Sequence, residues 1–275
     1  MSNPKTKFSV LMSIYYKETP EFFNKAMQSI WDNQTLKPDE IILVKDGPLT
    51  AKLDEVISIW QEKIPNILKV IALKSNLGLG DALNIGLKEC SFNLVARMDT
   101  DDISMPDRFK KQIEIFKEKD IDICSSWARE FDGDETNIVS YKKVPKFHKN
   151  IIKFSKSRNP LNHPATMYKK EVVKNAGGYK KMLWFEDYYL WARMIINGAK
   201  FYNIQEPLVD MRAGFSQLKR RKGLKYALYE LRFQKELLEI GFINIFEFIR
   251  NVTIRFIVRI LPKNMVKCIY KLLRK

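Results

Sequence analysis

Over the first hundred residues, apolar positions fall in short continuous runs separated by stretches of helical period. Phe8–Ile14 (FSVLMSI), Glu40–Val44 (EIILV), Ile67–Leu73 and Leu94–Met98 are bounded by polar residues and largely apolar throughout, which predicts buried strands of a parallel sheet. Between the first two, Phe22, Phe23, Ala26, Met27 and Ile30 form one stripe of a helix that opens at Pro20. Leu53, Val56, Ile57 and Trp60 form a second such stripe, and Asn76–Gly86 (NLGLGDALNIG) is a glycine-bearing loop running into a third helix. Strands alternating with helices of about ten to fifteen residues describe βαβ units. The fold class read from the pattern is therefore α/β, an open, mostly parallel sheet flanked by helices.

That order predicts where chemistry gathers, because ligands of open α/β sheets bind beyond the carboxyl ends of the strands. Those ends carry Ser13 to Lys17, Asp46, Asn76 to Gly80 and Asp99 to Asp102. Asp99, Asp101 and Asp102 directly follow a buried strand. Two like charges about 4 Å apart repel by roughly 4 kcal/mol at an effective dielectric near 20, so such a cluster needs a counter-charge. An all-oxygen donor set suits a hard divalent ion, Mn²⁺ or Mg²⁺. The alternative is that Asp102 or Ser104 caps the helix beginning at Pro106 and the other acids are solvated. The glycine loop has Ala82 and Leu83 where a dinucleotide fingerprint needs its third glycine, and no GxxxxGK[ST] phosphate loop occurs.

Composition adds compartment and partners. A chain of 275 residues, 45% apolar, can bury a full core and carry an appendage. Cys90, Cys124 and Cys268 are widely spaced and odd in number, which argues for a reducing compartment and against a zinc site or disulfide framework. MSNPKTKF lacks the apolar core of a secretory signal, and no run reaches the 18 or so residues that span a bilayer, so a cytoplasmic location is expected. Of the net charge of +16, most lies after Ser216, where 15 Lys and Arg face 4 Glu. This divides the chain into a main domain, 1–215, and a C-terminal extension, 216–275. KRRKGLKYALYELRFQKELLE reads as a basic amphipathic helix, and Phe242–Lys275 is apolar with Arg255, Arg259, Lys263, Lys267 and Lys271 spaced by four, restarted at Pro262. Such helices suit the inner leaflet of a membrane, each cation contributing about 1 kcal/mol at an anionic surface. The alternative is docking on the main domain or on a second subunit, which leaves a homodimer open. Nucleic acid is not an expected partner, because the basic excess lies away from the main domain.

Four blocks, AMQSIWDNQTLKPDEIILVKDGP, NLGLGDALNIGL, ARMDTDDISMPDRF and WFEDYYLWARM, in that order resemble the nucleotide-binding and catalytic blocks of glycosyltransferase family 2. The resemblance covers about residues 7 to 215 and is nearest to bacterial enzymes of surface polysaccharide assembly. It implies a GT-A (nucleotide-diphospho-sugar transferase) fold, with a nucleotide-binding half to about residue 105 and an acceptor half after it. It also implies a UDP- or other nucleotide-sugar donor, a divalent metal and inversion at the anomeric carbon. Asp46 matches the residue that contacts the base, with Ser13, Ile14 and Tyr15 beside it. Asp99 matches a position near the ribose and metal waters, and Asp101 the direct metal ligand, with Asp102 an additional candidate. Asn76, Gly78, Asp81, Arg97 and Thr100 fall in the same blocks on the nucleotide-sugar side, and Arg212 in VDMRAGFS matches a position near the diphosphate. Lys45 departs from the pattern, which often has a second Asp there, and this opens the nucleoside preference.

A sugar hydroxyl attacking an anomeric carbon must lose its proton, so a carboxylate within reach serves as general base. By the same resemblance Asp187 is that base and Glu186 its neighbour; read alone, the two are acids favoured by a helix N-terminus. His163, in Asn162-His163-Pro164, and Ala176–Tyr179 (AGGY) resemble the block before the acid pair. His163 would position the acceptor or a phosphate, or serve as a structural hydrogen-bonder. Trp184 is an acceptor-side platform or core, Trp191 is core, and Arg193 is expected to pair with an acid of its helix or a neighbour. Lys142–Lys156 reads as a loop, mobile near the site or merely solvated. The function implied is an inverting, metal-dependent glycosyltransferase of capsule, O-antigen or exopolysaccharide assembly. It would add a sugar to a lipid-linked oligosaccharide while bound peripherally at the cytoplasmic face of the inner membrane. A sugar nucleotidyltransferase is the alternative, but its glycine- and arginine-rich phosphate loop has no counterpart in SIYYKETP.

Overall fold

The computed structural model describes residues 6–213 and 224–260, with side chains in 6–213 and 225–255. Cys268, Pro262 and the cations at 263, 267 and 271 lie outside the described residues.

Four parallel strands form the first half of a sheet: β1 (Phe8–Ile14), β2 (Glu40–Lys45), β3 (Leu68–Ala72) and β4 (Leu94–Arg97), in the order β3-β2-β1-β4. The runs of β1, β2 and β4 are apolar on both faces because helices cover both, whereas β3, at the sheet edge, leaves Lys69 and Ala72 exposed. α1 (Pro20–Ile30) and α2 (Ala51–Lys63) share one core cluster with β1 and β2, and α3 (Leu79–Glu89) shares another with Leu11, Ile42 and Val44 on the opposite face. Gly86 allows α3 its close approach: a Cβ there would meet Leu11 Cδ1 at 2.5 Å and Val44 Cγ2 at 2.7 Å.

The second half extends the sheet with mixed polarity. Beyond β4 come β8 (Met167–Lys169), β6 (Ile123–Phe131), β9 (Phe201–Arg212) and β5 (Ile103–Ser104), while β7 (Ile138–Lys142) pairs with β6 off this path. β4/β8, β8/β6 and β5/β9 are antiparallel and β6/β9 is parallel. Two expectations are corrected here. Lys142–Lys156 is not a loop: β7 ends at Lys142, and α5 (His148–Ser155) buries Ile151 and Ser155. Two buried positions in eight residues are too few to mark a helical period. The helix after the Asp cluster, α4 (Arg108–Glu118), begins after Pro106, because Arg108 N–H first closes a turn on Met105 O (3.1 Å).

Two further helices, α6 (Lys170–Asn175) and α7 (Glu186–Ile196), precede β9. The extension supplies α8 (Leu224–Glu239), which docks on α7, and α9 (Ile245–Ile260), which packs on α8 and on the chain after α5. Phe185, Tyr188, Tyr189 and Ala192 join Tyr226, Phe233, Leu237 and Phe242 in a third core cluster, and the Phe185 and Phe233 rings stack 4.6 Å apart. Arg255, first of the expected cation stripe, turns inward to pair with Glu230 and to donate to Ser157 O (2.7 Å). No helix among the described residues is long and apolar enough to cross a membrane.

Candidate active site

At the carboxyl edge of the first four strands lies a cleft of about 740 Å³. It is lined by Ser13, Tyr15, Asp46, Asn76, Gly78, Asp99, Thr100 and Asp101 from the strand ends, and by His163, Trp184, Glu186, Asp187 and Arg212 from later in the chain. Residues from four strand ends and from a helix 90 positions later thus share one space. Ile14 is buried in the core, Arg97 is 1% exposed beneath the cleft, and Asp81 sits on α3 paired with Lys181 at 3.1 Å.

At the end of β2, Asp46 is buried and accepts hydrogen bonds from the N–H groups of Leu77 (2.7 Å) and Gly78 (3.1 Å). Asn76 donates to Asp46 O (3.1 Å). Gly47, at φ 88°, lets this turn close: a Cβ would lie 2.7 Å from Asn76 N. The β2 end and the start of α3 are thereby locked into one wall.

Asp99, Asp101 and Asp102 offer oxygens that all lie within 4.8 Å of one another. The buried Arg97 guanidinium pairs with Asp99, while its Nε and Nη1 have no hydrogen-bond partner. Arg108, itself fully buried, donates to Arg97 O (2.7 Å) and fixes the end of β4. Burial, with Asp99 and Glu18 nearby, pushes the Asp101 carboxyl up to about 7. Burial, then Asp101 and Asp99, pushes Asp102 well above the usual carboxylate range. Uncompensated charge on an all-oxygen donor set fits a hard divalent cation. Asp99 and Asp101 line the cleft and could hold one. Asp102 is 3% exposed and accepts from Arg212 N–H (2.9 Å), so it ties β9 to the cluster from behind. The Arg212 guanidinium lies over the Phe22 ring (3.6 Å) and donates to Asp101 O (3.3 Å) and Gly133 O (3.1 Å).

The first turn of α7 presents Glu186 and Asp187 to the cleft. Asp187 accepts from Asn159 Nδ2 (2.6 Å) and from Tyr188 N–H (2.7 Å), which fixes its carboxylate in one orientation. Burial, and then the neighbouring Asp187, pushes Glu186 up to about 7. Between its ordinary value near 4.5 and that point, the unfolded chain releases a proton that the folded chain keeps. Stability should therefore fall as pH rises from about 4.5 to 7, by roughly 1–2 kcal/mol after allowance for partial exposure. Thermal unfolding of Glu186→Gln across that range is expected to lose the Glu186 share of the slope, leaving the part owed to the raised Asp101 and Asp102 carboxyls, and to exceed wild type above pH 7; an unchanged slope would contradict it.

His163 Nε2 lies 2.9 Å from Tyr179 Oη, and its ring packs on Tyr179 and Trp191. Burial and the Arg97 charge hold it well below its ordinary pKa, so it is neutral at the cleft wall. Trp191 is fully buried, as expected of core. Arg193 does not pair with an acid among the described contacts: it donates to Ala176 O and to Gly178 O (2.7 Å), carbonyls that the end of α6 leaves without helical partners.

Trp184 has φ 72°, the sole positive value among described non-glycine residues, at a cost of about 1–2 kcal/mol. Its ring stacks on Tyr226 (5.0 Å, 29°) and meets Tyr229 edge-on (5.2 Å), contacts that together offset roughly that cost. Three site residues carry no sequence signal: Glu18, which accepts from Thr100 Oγ1 (2.6 Å), Asn159, and Tyr226 from the extension. Only the nearness of Asn159 to the Asn162-His163-Pro164 block could have pointed to it.

The family model for glycosyl transferase family 2 matches residues 9–177. The chain is 42% identical over 272 residues, 98% of each chain, to the UDP-Gal:alpha-D-GlcNAc-diphosphoundecaprenol beta-1,3-galactosyltransferase of Escherichia coli. It is 38% identical over 273 residues, 98% of this chain and 99% of the other, to the amylovoran biosynthesis glycosyltransferase AmsE of Erwinia amylovora. Among solved structures, S. aureus TarS 1-349 in complex with UDP-GlcNAc superposes with TM-score 0.63 at 17% identity, over 85% of this chain and 67% of that one. The mannosyltransferase PcManGT of Pyrobaculum calidifontis, in complex with GDP-Man and Mn2+, gives 0.56 at 15%, over 84% and 61%. These structural likenesses carry the fold, which is of GT-A type. With the family match spanning more than half of its length and bacterial relatives aligned end to end, this chain belongs to glycosyl transferase family 2 and is a glycosyltransferase.

Proposed function

We propose that this glycosyltransferase moves a hexose from a UDP-sugar, with inversion and with a divalent cation, to a hydroxyl of a saccharide carried on a polyprenyl diphosphate. The observation that carries this reading is the convergence, in one cleft, of the oriented Asp187 carboxylate and the Asp99/Asp101 pair. The Escherichia coli relative is named for UDP-Gal and GlcNAc-diphosphoundecaprenol, and its 42% identity across 98% of both chains supports the same classes of donor and acceptor here.

The uracil and ribose lie against Asp46, Ser13 and Tyr15, and the diphosphate reaches Asp99, Asp101 and Arg212. Asp99 and Asp101 would hold a Mn²⁺ or Mg²⁺, which when bound would supply Lewis-acid stabilisation of the departing diphosphate. Asp187 takes the acceptor proton as the hydroxyl oxygen bonds to the anomeric carbon. The bond to the β-phosphate oxygen breaks on the opposite face, releasing the nucleoside diphosphate. Arg97 orients Asp99, Asn159 orients Asp187, and the remaining rate gain is positioning. The exposed Ile245, Phe246 and Ile249 on α9, with the basic excess of the extension, support peripheral attachment to the anionic cytoplasmic leaflet where such an acceptor resides.

The test is incubation with each UDP-hexose and a GlcNAc-diphospho-polyprenol in anionic vesicles, with Mn²⁺ present. One UDP-hexose is expected to yield a disaccharide lipid with inverted linkage. Pyrophosphate release from UTP and sugar 1-phosphate, without transfer, would instead identify a nucleotidyltransferase.

A further inference from the structure

Trp184 combines three features that no catalytic step uses. Its backbone is left-handed at φ 72°, its indole is 38% exposed and lines the cleft, and it stands three residues before Asp187. Its ring is braced by the extension, since Tyr226 stacks on the indole and Tyr229 abuts it edge-on. α8 is itself fixed in place. Phe233 packs on Phe185 and Tyr188, Glu230 pairs with Arg255, and Gln234 Oε1 accepts from Asn251 Nδ2 (3.0 Å), which also donates to Lys156 O (2.7 Å).

We propose that α8 completes the acceptor subsite: Tyr226 and Tyr229 hold Trp184 as an aromatic platform for the pyranose ring that carries the attacking hydroxyl. A flat indole offers its face to the apolar C–H face of a sugar, while polar groups at the wall fix orientation. The platform belongs to the acceptor because it lines the cleft from the turn that leads directly into Asp187, three residues on, whereas Asp46, Asn76 and Gly78 line it from the ends of the first strands. The extension is then part of the site as well as an attachment device, and Tyr226 is a positioning residue acting through Trp184. Energy from stacking a ring remote from the reacting atoms appears mainly in acceptor binding. This rests on the reading of Asp187 as acceptor-side base.

The experiment uses the full chain and measures two rates: transfer against acceptor concentration, and slow hydrolysis of the UDP-sugar by water without acceptor. Tyr226→Ala is expected to raise the acceptor KM about tenfold while donor KM and donor hydrolysis stay within about twofold of wild type. Tyr226→Phe, which keeps the stack, should restore the acceptor KM. Trp184→Gly provides a second variant whose backbone adopts φ 72° without strain, and its acceptor KM should rise by a similar factor. An unchanged acceptor KM in Tyr226→Ala and Trp184→Gly overturns the platform while leaving the transferase reading intact. Equal loss of hydrolysis and transfer in Tyr226→Ala also overturns it, since α8 would then support the whole fold. A wild-type chain that transfers no sugar removes the functional reading beneath it.

Discussion

Asp187→Asn is expected to lower kcat by about 10²–10⁴-fold, the range that a positioned general base contributes, with donor KM within about twofold of wild type. The substitution keeps the shape and both hydrogen-bonding positions. Tyr188 N–H can still donate to the amide oxygen, and Asn159 can rotate to accept from the amide nitrogen. What disappears is the capacity to take a proton from the acceptor hydroxyl at the moment the C–O bond forms. Steady-state kinetics at saturating donor, alongside thermal unfolding to verify the fold, reads the effect. A kcat within tenfold of wild type would remove Asp187 from the role of base and direct attention to Glu186, whose burial keeps it partly protonated near neutrality.

Chelation is expected to bring transfer to background, with full recovery on adding Mn²⁺ or Mg²⁺, and Asp101→Ala should reach the same background without recovery. Three carboxylates within 4.8 Å, one paired with a buried guanidinium and two pushed upward by burial and mutual repulsion, form a strained arrangement without added positive charge. A bound cation would resolve it and would give the donor diphosphate a partner. On the proposed function the Asp101 carboxylate would be a direct ligand, so its loss should remove about 10³-fold or more of the rate. Transfer that persists in chelator, or that Asp101→Ala leaves near wild type, would assign the cluster a structural role.

Much of the nucleotide half was legible in the sequence because its signals are local. A buried parallel strand is a continuous apolar run, and its carboxyl end is where Asp46 and Asp99 appear next in the chain. The second half is built from long-range pairings. β5 has two residues and β8 three, and each is a strand only because β9 or β4 lies alongside. Neither is long enough to print a period. The same reasoning covers the site. Asp187 could be named from its block, but the donor that orients it, Asn159, is 28 residues earlier and reaches it across a fold boundary invisible to pattern. Arg193 illustrates the converse. Charge suggested an acid partner, whereas the chain turns at Ala176–Gly178 supply carbonyls that only the assembled structure brings within reach. The extension read as a basic amphipathic helix, and its contacts with Trp184 could not be foreseen because they depend on which face α8 turns toward α7.

The central claim is that Asp99 and Asp101 hold a cation that grips the diphosphate of the donor. Calorimetric titration of UDP into the wild-type chain, with and without Mn²⁺, and into the Asp99→Ala/Asp101→Ala double variant tests it without requiring turnover. Mn²⁺ is expected to tighten UDP binding by about tenfold or more in wild type, a difference of about 1.4 kcal/mol, and to have no effect on the double variant. UDP affinity that is indifferent both to Mn²⁺ and to the loss of the two aspartates would contradict it.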